Sequence, residues 1–233
     1  MFTPETLTFL RAMKRHNDRE WFKARRDQYE SVVKGPAIAF VERMADVLPS
    51  FAPEILASPR VSLYRVYRDT RFSADKSPLK THIGMLFPWR GLPRHEGACF
   101  YVEVAPGRTL IAGGIYAPQP KQLRAVREHI AAHTPRFRAI VESRSFRTAF
   151  GGLQGDQLSR IPTGFPRDHP AGDYLRFKQF GTWREDPADF ALSPRFFSEV
   201  VRRLRQLTPL VCFLNEPLVA QRDASPDRFF PQP

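Results

Sequence analysis

The spacing of apolar residues along the chain changes from a helical period to an alternating one and then back. Up to residue 48, apolar side chains recur every three or four positions, as they do in amphipathic helices. Between residues 61 and 116, short runs rich in β-branched and aromatic residues are separated by turn-forming stretches, which is typical of strands. The helical period returns after residue 120. Helices, then strands, then helices predict an α+β fold rather than alternating βαβ units.

Four runs are the candidate strands of this fold, at residues 61–68, 81–87, 98–104 and 109–116. The last two runs flank Pro106 and Gly107, which suit a tight turn, so they predict a hairpin. We therefore expect an antiparallel sheet of about four or more strands, flanked by N-terminal and C-terminal helices.

Capping residues and prolines mark where helices begin and end. Asn17 and Glu20 have the spacing of a capping box, which predicts a helix with Asn17 as its N-cap. A further helix is expected over residues 136–150. The last helix should begin after Ser193 and break or kink at Pro209.

The length of the chain allows one domain with a large core. We expect a single α+β domain over residues 1–220 and a flexible tail over residues 221–233. No apolar run reaches the ~18 residues that a membrane span needs, and the first residues lack the layout of a secretory signal. Cys99 and Cys212 each stand alone in an apolar run, which indicates buried thiols. These features predict a cytoplasmic protein with no membrane partner.

The composition is strongly basic, with a formal net charge of +12 and a pI near 10.3. Such a charge favours nucleic acid as a partner, because clustered cations release counterions from phosphates. However, arginine supplies 29 of the 36 basic residues, and these are spread along the whole chain. A GC-rich coding sequence produces the same skew. Net charge by itself indicates solubility and non-specific association, so nucleic acid is the less favoured partner.

The densest group of charged side chains lies between two candidate strands, in residues 65–82, which we call the Arg68 loop. Within 18 positions it contains Arg65, Arg68, Asp69, Arg71, Asp75, Lys76, Lys80 and His82. Guanidinium forks, lysine charges and a nearby imidazole are groups that bind phosphate or carboxylate. Short connections between rigid elements often carry function. The sequence therefore predicts a site for an anionic ligand from Arg68 to His82.

A second polar cluster occurs in residues 151–186, which are expected to be mostly loop. It contains Arg167, Asp168, His169, Asp173, Arg176 and Lys178. If the fold brings His169, Arg176 and Lys178 beside the Arg68 loop, the result is one anion pocket with two histidines as candidate acid–base groups. The aspartates would orient the cations or hold a divalent ion. The alternative is an Arg–Asp network that fixes a loop without any ligand, in a structural or interaction module.

Other catalytic and metal-binding patterns are weak. His129 and His133 lie one turn apart on a candidate helix, but no acid or thiol completes the ligand set of a zinc site. Neither cysteine has a basic neighbour in sequence, and no nucleophile elbow is present. Ser73, beside Asp75 and Lys76, is an unspecific candidate nucleophile. We expect no cofactor and no metal, and both enzymatic and non-enzymatic roles stay open.

Several stretches resemble segments of a widespread bacterial and fungal family called domain of unknown function 2461. The longest is R-D-T-R-F-S-A-D-K-S-P-L-K-T-H-I-G, from Arg68, which is similar to the signature of that family. The others are G-F-P-R-D-H-P-A-G-D-Y-L-R-F-K-Q-F from Gly164, L-T-P-L-V-C-F-L-N-E-P-L from Leu207, and N-D-R-E-W-F near the N-terminus. Leu79 departs from the pattern, in which an aromatic residue is expected. The resemblance covers residues 2–218 and implies one complete domain, with no assigned reaction.

Overall fold

The computed structural model of the protein describes residues 1–71 and 74–223. Helices near both ends of the sequence and an open four-stranded antiparallel sheet confirm the predicted α+β class. Ser73 and residues 224–233 of the predicted tail lie outside the described residues. Among the residues that are described, no helix combines the length and the apolar character needed to cross a bilayer.

The N-terminal region is helical. Its helices are α1 (Pro4–Arg15), α2 (Arg19–Lys23), α3 (Arg26–Tyr29), α4 (Gly35–Val47) and α5 (Pro59–Ser62). Asp18 rather than Asn17 caps α2, because the Asp18 carboxylate accepts the N–H of Trp21 at 2.8 Å. The predicted capping residue is thus wrong by one position, which leaves Asn17 available for another contact.

A π-helical segment, Glu30–Lys34, joins α3 to α4. Pro36 lies in the first turn of α4 and has no N–H, so it cannot give the carbonyl of Val32 its α-helical hydrogen bond. The hydroxyl of Thr6 on α1 donates to the Val32 oxygen instead, at 2.6 Å. The wide turn is therefore a local response to a proline inside a helical run.

The sheet contains β1 (Ile83–Phe87), β2 (Cys99–Val104), β3 (Arg108–Ile115) and β4 (Phe180–Pro187), which are neighbours in that order. The first three strands lie where the sequence predicts them. The fourth lies in a stretch that the sequence predicts to be mostly loop. Arg184 and Glu185 in the middle of β4 are both exposed, so this strand lacks the sustained alternation that marks a half-buried strand.

The prediction of a strand over residues 61–68 is wrong. Ser58 and Pro59 supply an N-cap and a first-turn proline, which begin helix α5 at this point. After α5, the chain pairs with a later segment through isolated antiparallel bridges at Leu63 and Tyr67. The segment runs beside β1 without becoming a regular strand.

The C-terminal region is again mostly helical. Its helices are α6 (Pro120–Ala132), α7 (Thr134–Val141), α8 (Arg144–Phe150), α9 (Gly172–Leu175) and α10 (Phe196–Asp223). The single helix predicted over residues 136–150 is divided, because Ser143 accepts the N–H of Phe146 at 3.2 Å and begins α8. Helix α10 continues through Pro209 and Pro217 to its end.

Contacts group the described residues into two compact units. Unit 1 comprises Met1–Phe87, Tyr101–Ala112 and Arg184–Leu204, and unit 2 comprises Pro88–Phe100, Gly113–Trp183 and residues 205–223. In the core of unit 1, the ring centroids of Phe40 and Phe196 are 5.6 Å apart. In the core of unit 2, those of Phe137 and Phe213 are 5.1 Å apart. A single domain over residues 1–220 stays a prediction.

Within unit 1, one face of the strands is buried and the other is partly open. Val102, Val104 and Ile111 are fully buried. Because side chains alternate along a strand, Tyr101 and Glu103 of β2 point to the opposite face. The strands thereby supply polar groups on one side of unit 1.

Candidate functional site

The Arg68 loop is held by contacts within itself. Arg68 Nη1 forms an ion pair with Asp75 and donates to Ser77 Oγ at 2.9 Å. Hydrogen bonds from Ser77 and then from Arg68 lower the pKa of Asp75 to about 2. The Arg68 N–H also donates to the Pro78 oxygen at 2.9 Å. Side chains and backbone together close the loop.

Asp69 and Arg71 form a second pair in this loop. Arg71 donates to both carboxylate oxygens of Asp69, from Nε at 3.0 Å and from Nη2 at 2.8 Å. The hydrogen bond from the Arg71 side chain lowers the pKa of Asp69 to about 2. Lys76 Nζ donates to the Thr70 oxygen at 2.9 Å. Like Arg68, Arg71 and Lys76 have partners inside the loop. These contacts favour the interpretation that the charged residues form a network that fixes the loop without a ligand.

Asn17 anchors the far end of the loop. Its Nδ2 donates to the Leu79 oxygen, and its Oδ1 accepts the Leu79 N–H, each at 2.9 Å. The Leu79 side chain is fully buried. At the position where the resemblance implies an aromatic residue, this protein therefore has a core side chain.

A buried carboxylate on β2, Glu103, is the centre of a polar group that the sequence analysis did not identify. Its Oε2 accepts the hydroxyl of Tyr101 at 2.8 Å and lies 3.6 Å from Nε2 of His82. Its Oε1 lies 3.4 Å from Nη2 of Arg108, and Nη1 of that arginine lies 2.7 Å from Glu185. The end of the Arg68 loop thus meets a carboxylate, a phenol and a guanidinium on the strands. We call Glu103, Tyr101, His82 and Arg108 the Glu103 cluster.

Gly84 makes room for the phenol of this cluster. A Cβ atom at Gly84 would lie 2.6 Å from the hydroxyl oxygen of Tyr101. The Tyr101 ring packs edge-on against Tyr64, with centroids 6.3 Å apart. Lys80 Nζ lies 4.5 Å from the centroid of the Tyr64 ring, a cation–π contact. These contacts place a cation of the loop, Lys80, beside the Glu103 cluster.

The surroundings of His82 determine its charge. Burial lowers the pKa of His82, because desolvation penalises the imidazolium, and Glu103 acts in the opposite direction. Three nearby cations add to the lowering: Lys80, Arg108 and Arg68. Burial also raises the pKa of Tyr101, with a contribution from Glu103. At neutral pH the cluster therefore contains a neutral imidazole and a neutral phenol.

The second polar cluster lines an open concavity of about 370 Å³ in unit 2, which we call the His169 concavity. The charged and imidazole side chains in its lining are Arg160, Arg167, Asp168, His169, Asp173 and Arg176. Its chain segments are tied by backbone hydrogen bonds, from Leu158 to the Arg176 oxygen at 2.8 Å and from Lys178 to the Asp156 oxygen at 2.9 Å. The cluster predicted from the sequence thus surrounds a depression that a small molecule can enter.

His169 is held in one orientation by the backbone. Its Nδ1 accepts the N–H of Ala171 at 3.0 Å. Since Nδ1 is an acceptor, the neutral ring carries its proton on Nε2. His169 therefore contributes an N–H donor to the lining, in addition to the arginines.

Arg176 has donors that its protein partner does not use. Its Nη2 donates to Asp173 at 3.1 Å, whereas its Nε is buried with no hydrogen-bond partner among the described residues. The Asp173 side chain is 91% exposed, so this ion pair is weak. Lys178 is exposed and lies outside the lining of the concavity.

The predicted site residues are divided between the two units. Unit 1 contains Arg65, Arg68, Asp69, Arg71, Asp75, Lys76, Lys80 and His82, and unit 2 contains His169, Arg176 and Lys178. Arg65 is exposed. A single pocket made by both clusters stays a prediction. Glu103 is not among the residues predicted from the sequence, in which its sign is a lone acid inside the apolar run A-C-F-Y-V-E-V.

Other titratable groups have structural partners. Within residues 1–71 and 74–223, no group of His, Cys, Asp and Glu side chains has the arrangement of a metal site. His129 Nε2 lies 3.0 Å from a carboxylate oxygen of Glu216, and its ring contacts that of His133. Burial raises the pKa of Cys99 to about 12, so this thiol is a poor nucleophile at neutral pH.

Comparison with protein families matches residues 5–213 of the chain to a family described as conserved hypothetical protein (DUF2461). Neither the curated proteins nor the solved structures give a significant match. The matched region contains the Arg68 loop, the Glu103 cluster and the His169 concavity. Because it covers most of the 233 residues, the chain belongs to the conserved hypothetical protein family DUF2461.

Proposed function

We propose that this protein binds a small anionic ligand, bearing phosphate or carboxylate, in the His169 concavity. The supporting observation is the lining, in which three guanidinium groups and an Nε2–H donor surround one depression: Arg160, Arg167, Arg176 and His169. Guanidinium groups bind phosphate and carboxylate oxygens through paired N–H donors. Two aspartates, Asp168 and Asp173, leave the lining with an excess of positive charge.

The size of the concavity fits a metabolite. Its volume of about 370 Å³ lies within the range of small-molecule sites, ~300–1,000 Å³. A bound anion would also compete with Asp173 for Nη2 of Arg176, because an ion pair with so exposed a carboxylate is weak. The proposed ligand is therefore a small molecule with at least one phosphate or carboxylate group.

The contacts give less support to the Arg68 loop as the binding site of this ligand. Arg68, Arg71 and Lys76 already donate to groups inside the loop. Arg65 is exposed and lies near the Asp69 carboxylate, whose pKa it helps to lower. The main role that we propose for the loop cations is to fix the loop. Arg68→Ala should then lower stability and leave anion binding at the concavity intact.

Thermal stabilisation tests the proposal, because a ligand that binds the native state raises the melting temperature. The purified protein is titrated with inorganic phosphate, citrate and a panel of nucleotides and sugar phosphates. At least one of these anions should raise the melting temperature. Arg167→Ala and His169→Gln should remove most of that rise.

Arg144→Ala is the matched control, since it removes an exposed arginine of unit 2 outside the concavity. It should keep the full stabilisation. Equal stabilisation of all three variants would show that the anion binds elsewhere or acts through net charge. No stabilisation of the wild type by any anion in the panel would contradict the proposal itself.

Nucleic-acid binding is the second candidate, favoured by an aromatic and basic surface formed by Trp21 of α2 and the residues that flank this helix. The rings of Trp21 and His16 are stacked, with centroids 5.5 Å apart and planes at 15°, and the Arg25 guanidinium lies 4.8 Å from the Trp21 centroid. Aromatic rings bordered by cations are platforms for single strands. Fluorescence anisotropy with single- and double-stranded probes should then show binding that weakens steeply with salt and with Trp21→Ala. No binding at low salt would exclude this function.

A further inference from the structure

His82 and Glu103 form a pair that anion binding in the His169 concavity does not use. The Glu103 side chain is 8% exposed, whereas that of His82 is 33% exposed. The carboxylate is therefore shielded from water and the imidazole remains accessible. Their facing atoms, Oε2 and Nε2, are 3.6 Å apart. Pairs of this kind are often long without a substrate and shorten when one binds.

The carboxylate determines which ring nitrogen of His82 carries the proton. A lone pair on Nε2 would face the negative oxygen of Glu103, whereas an Nε2–H would donate toward it. The neutral ring therefore has its proton on Nε2 and its lone pair on Nδ1. With Nε2 facing Glu103, the other ring nitrogen, Nδ1, keeps its lone pair for a ligand or a water molecule.

We propose that His82 is a general base, positioned by Glu103, that activates water for the hydrolysis of a small ester. The substrate class is an ester of a carboxylic or phosphoric acid whose transition state gains negative charge. Lys80 and Arg108 supply positive charge around the imidazole that would stabilise it. His82 is the catalytic residue in this proposal, and Glu103 is a positioning residue.

The proton transfer balances without any further reactant. Nδ1 of His82 takes a proton from water while the water oxygen forms a bond to the acyl carbon or the phosphorus. The bond from that atom to the alcohol oxygen then breaks, and the imidazolium returns the proton to the leaving alcohol. Glu103 stabilises the imidazolium between the two steps, and Tyr101 holds the Glu103 carboxylate through the 2.8 Å hydrogen bond.

The charged groups around His82 support a neutral resting state. The charged groups are Glu103 of β2, Arg108 of β3 and Lys80 and Arg68 of the Arg68 loop, and Tyr101 of β2 is a neutral titratable neighbour of Glu103. Burial and the three cations outweigh Glu103 and lower the pKa of His82. At neutral pH the ring is therefore unprotonated at Nδ1, the form that accepts a proton.

Nitrogen-15 NMR of the full chain tests the tautomer and the positioning role. The His82 signals are identified by their loss in His82→Gln. The wild type should show Nε2–H with an unprotonated Nδ1 at pH 7, and a titration below the ordinary histidine range. Glu103→Gln should lower that titration further, because the stabilising anion is gone, whereas Glu42→Gln, an exposed acid on α4, should not. An Nδ1–H tautomer, or a titration that Glu103→Gln leaves in place, would overturn the proposal.

Hydrolysis of p-nitrophenyl acetate and p-nitrophenyl phosphate tests the catalytic role and separates acyl from phosphoryl substrates. At least one ester should be cleaved, at a rate that rises with pH through the NMR titration of His82. His82→Gln should lose about tenfold or more of this rate, and Glu103→Gln should shift its pH profile in step with the NMR titration. His133→Gln, an exposed histidine, is the matched control. No turnover of either ester by the wild type, or equal turnover by folded His82→Gln, would overturn the proposal.

These measurements are independent of thermal stabilisation by phosphate at the His169 concavity. Anion stabilisation without ester hydrolysis would remove only the general-base proposal. Ester hydrolysis that depends on His82, without anion stabilisation, would remove only the anion-binding proposal.

Discussion

Asn17 and Leu79 exchange two hydrogen bonds, each 2.9 Å long, between positions 62 residues apart in the sequence. The Asn17 side-chain amide pairs with the backbone amide of Leu79 as a neighbouring strand would. This contact ties the Arg68 loop to the chain just before α2. A residue outside the loop thus determines where the loop ends.

Asn17→Ala should destabilise the protein by about 1–3 kcal/mol, because it leaves the Leu79 N–H and C=O without their partners. Urea unfolding measures the loss. Asp18→Ala is the neighbouring control, since it removes only the N-cap of α2 and should cost about 1 kcal/mol. A smaller loss for Asn17→Ala than for Asp18→Ala would show that the anchor adds little.

Unit 2 contains a second amide contact of this kind, which predicts an unusual pH dependence. Asn215 is fully buried, accepts the Ala98 N–H at 2.8 Å and donates to the Ala98 oxygen at 2.9 Å. Asn215→Asp would place a carboxylate against that carbonyl, so at pH 8 we expect a loss of about 2 kcal/mol or more. The difference from the wild type should shrink toward pH 4, where the neutral acid can donate. A difference that is independent of pH would contradict this account.

Gly84→Ala should destabilise the Glu103 cluster, since the new Cβ would lie 2.6 Å from the Tyr101 hydroxyl oxygen. We expect a loss of about 1–3 kcal/mol from this overpacking. In the Tyr101→Phe background the same change should cost less, because the hydroxyl is absent. A double-mutant cycle on unfolding free energies measures the coupling, and a coupling of zero would show that the hydroxyl is not the obstacle.

Alanine substitutions at Gly114 and Gly91 distinguish the destabilisation that comes from backbone strain from the destabilisation that comes from a steric clash. Both have positive φ angles, +127° and +82°. A Cβ at Gly114 would also lie 2.2 Å from the Phe180 oxygen on β4, whereas a Cβ at Gly91 would have no atom within 4 Å. Gly91→Ala should therefore cost about 1–2 kcal/mol from strain alone. Gly114→Ala should cost clearly more and weaken the pairing of β3 with β4, which amide hydrogen exchange measures.

The stability of the protein should fall as the pH drops from 7 toward 5. Burial lowers the pKa of both His82 and His129 below the ordinary value of 6.5 in the folded state. Below that value the unfolded chain binds protons that the folded protein does not, so protonation favours unfolding. His82→Gln should make the decline shallower in this window. An unchanged slope of unfolding free energy against pH would contradict the lowered pKa.

The sequence predicts elements best where one physical pattern is strong. Apolar residues at helical spacing identify α1 and α4, and the apolar runs around Pro106 identify the β2–β3 hairpin. Residues 61–68 are rich in valine and tyrosine, yet Ser58 and Pro59 begin a helix there, so local capping outweighs strand propensity. Strand β4 has two consecutive exposed charges, Arg184 and Glu185, and it forms through its pairing with β3 rather than through its own pattern.

For the candidate site too, the sequence predicts residues that a local pattern marks and does not predict residues whose role depends on distant contacts. His82, His169 and Arg176 were found because charged residues are dense in sequence around them. Glu103 was missed, and Asn17 was predicted as an N-cap rather than as the partner of Leu79, because both roles depend on contacts between distant segments. The density of charge also overstates the capacity of the Arg68 loop to bind an anion. The sequence does not show that Arg71 already donates to both carboxylate oxygens of Asp69.

Pro36 has a consequence for the alignment of the first helices. Apolar contacts between packed helices are non-directional, so they define the longitudinal position of one helix against the other less strictly than a hydrogen bond does. Here the carbonyl of Val32 lacks its helical donor, and the hydroxyl of Thr6 fills that place while it also accepts the N–H of Thr3 at 3.1 Å. A slip by one turn would break this bond. Pro36 therefore favours one longitudinal position of α1 against the run from α3 to α4, the position in which Thr6 reaches the Val32 oxygen.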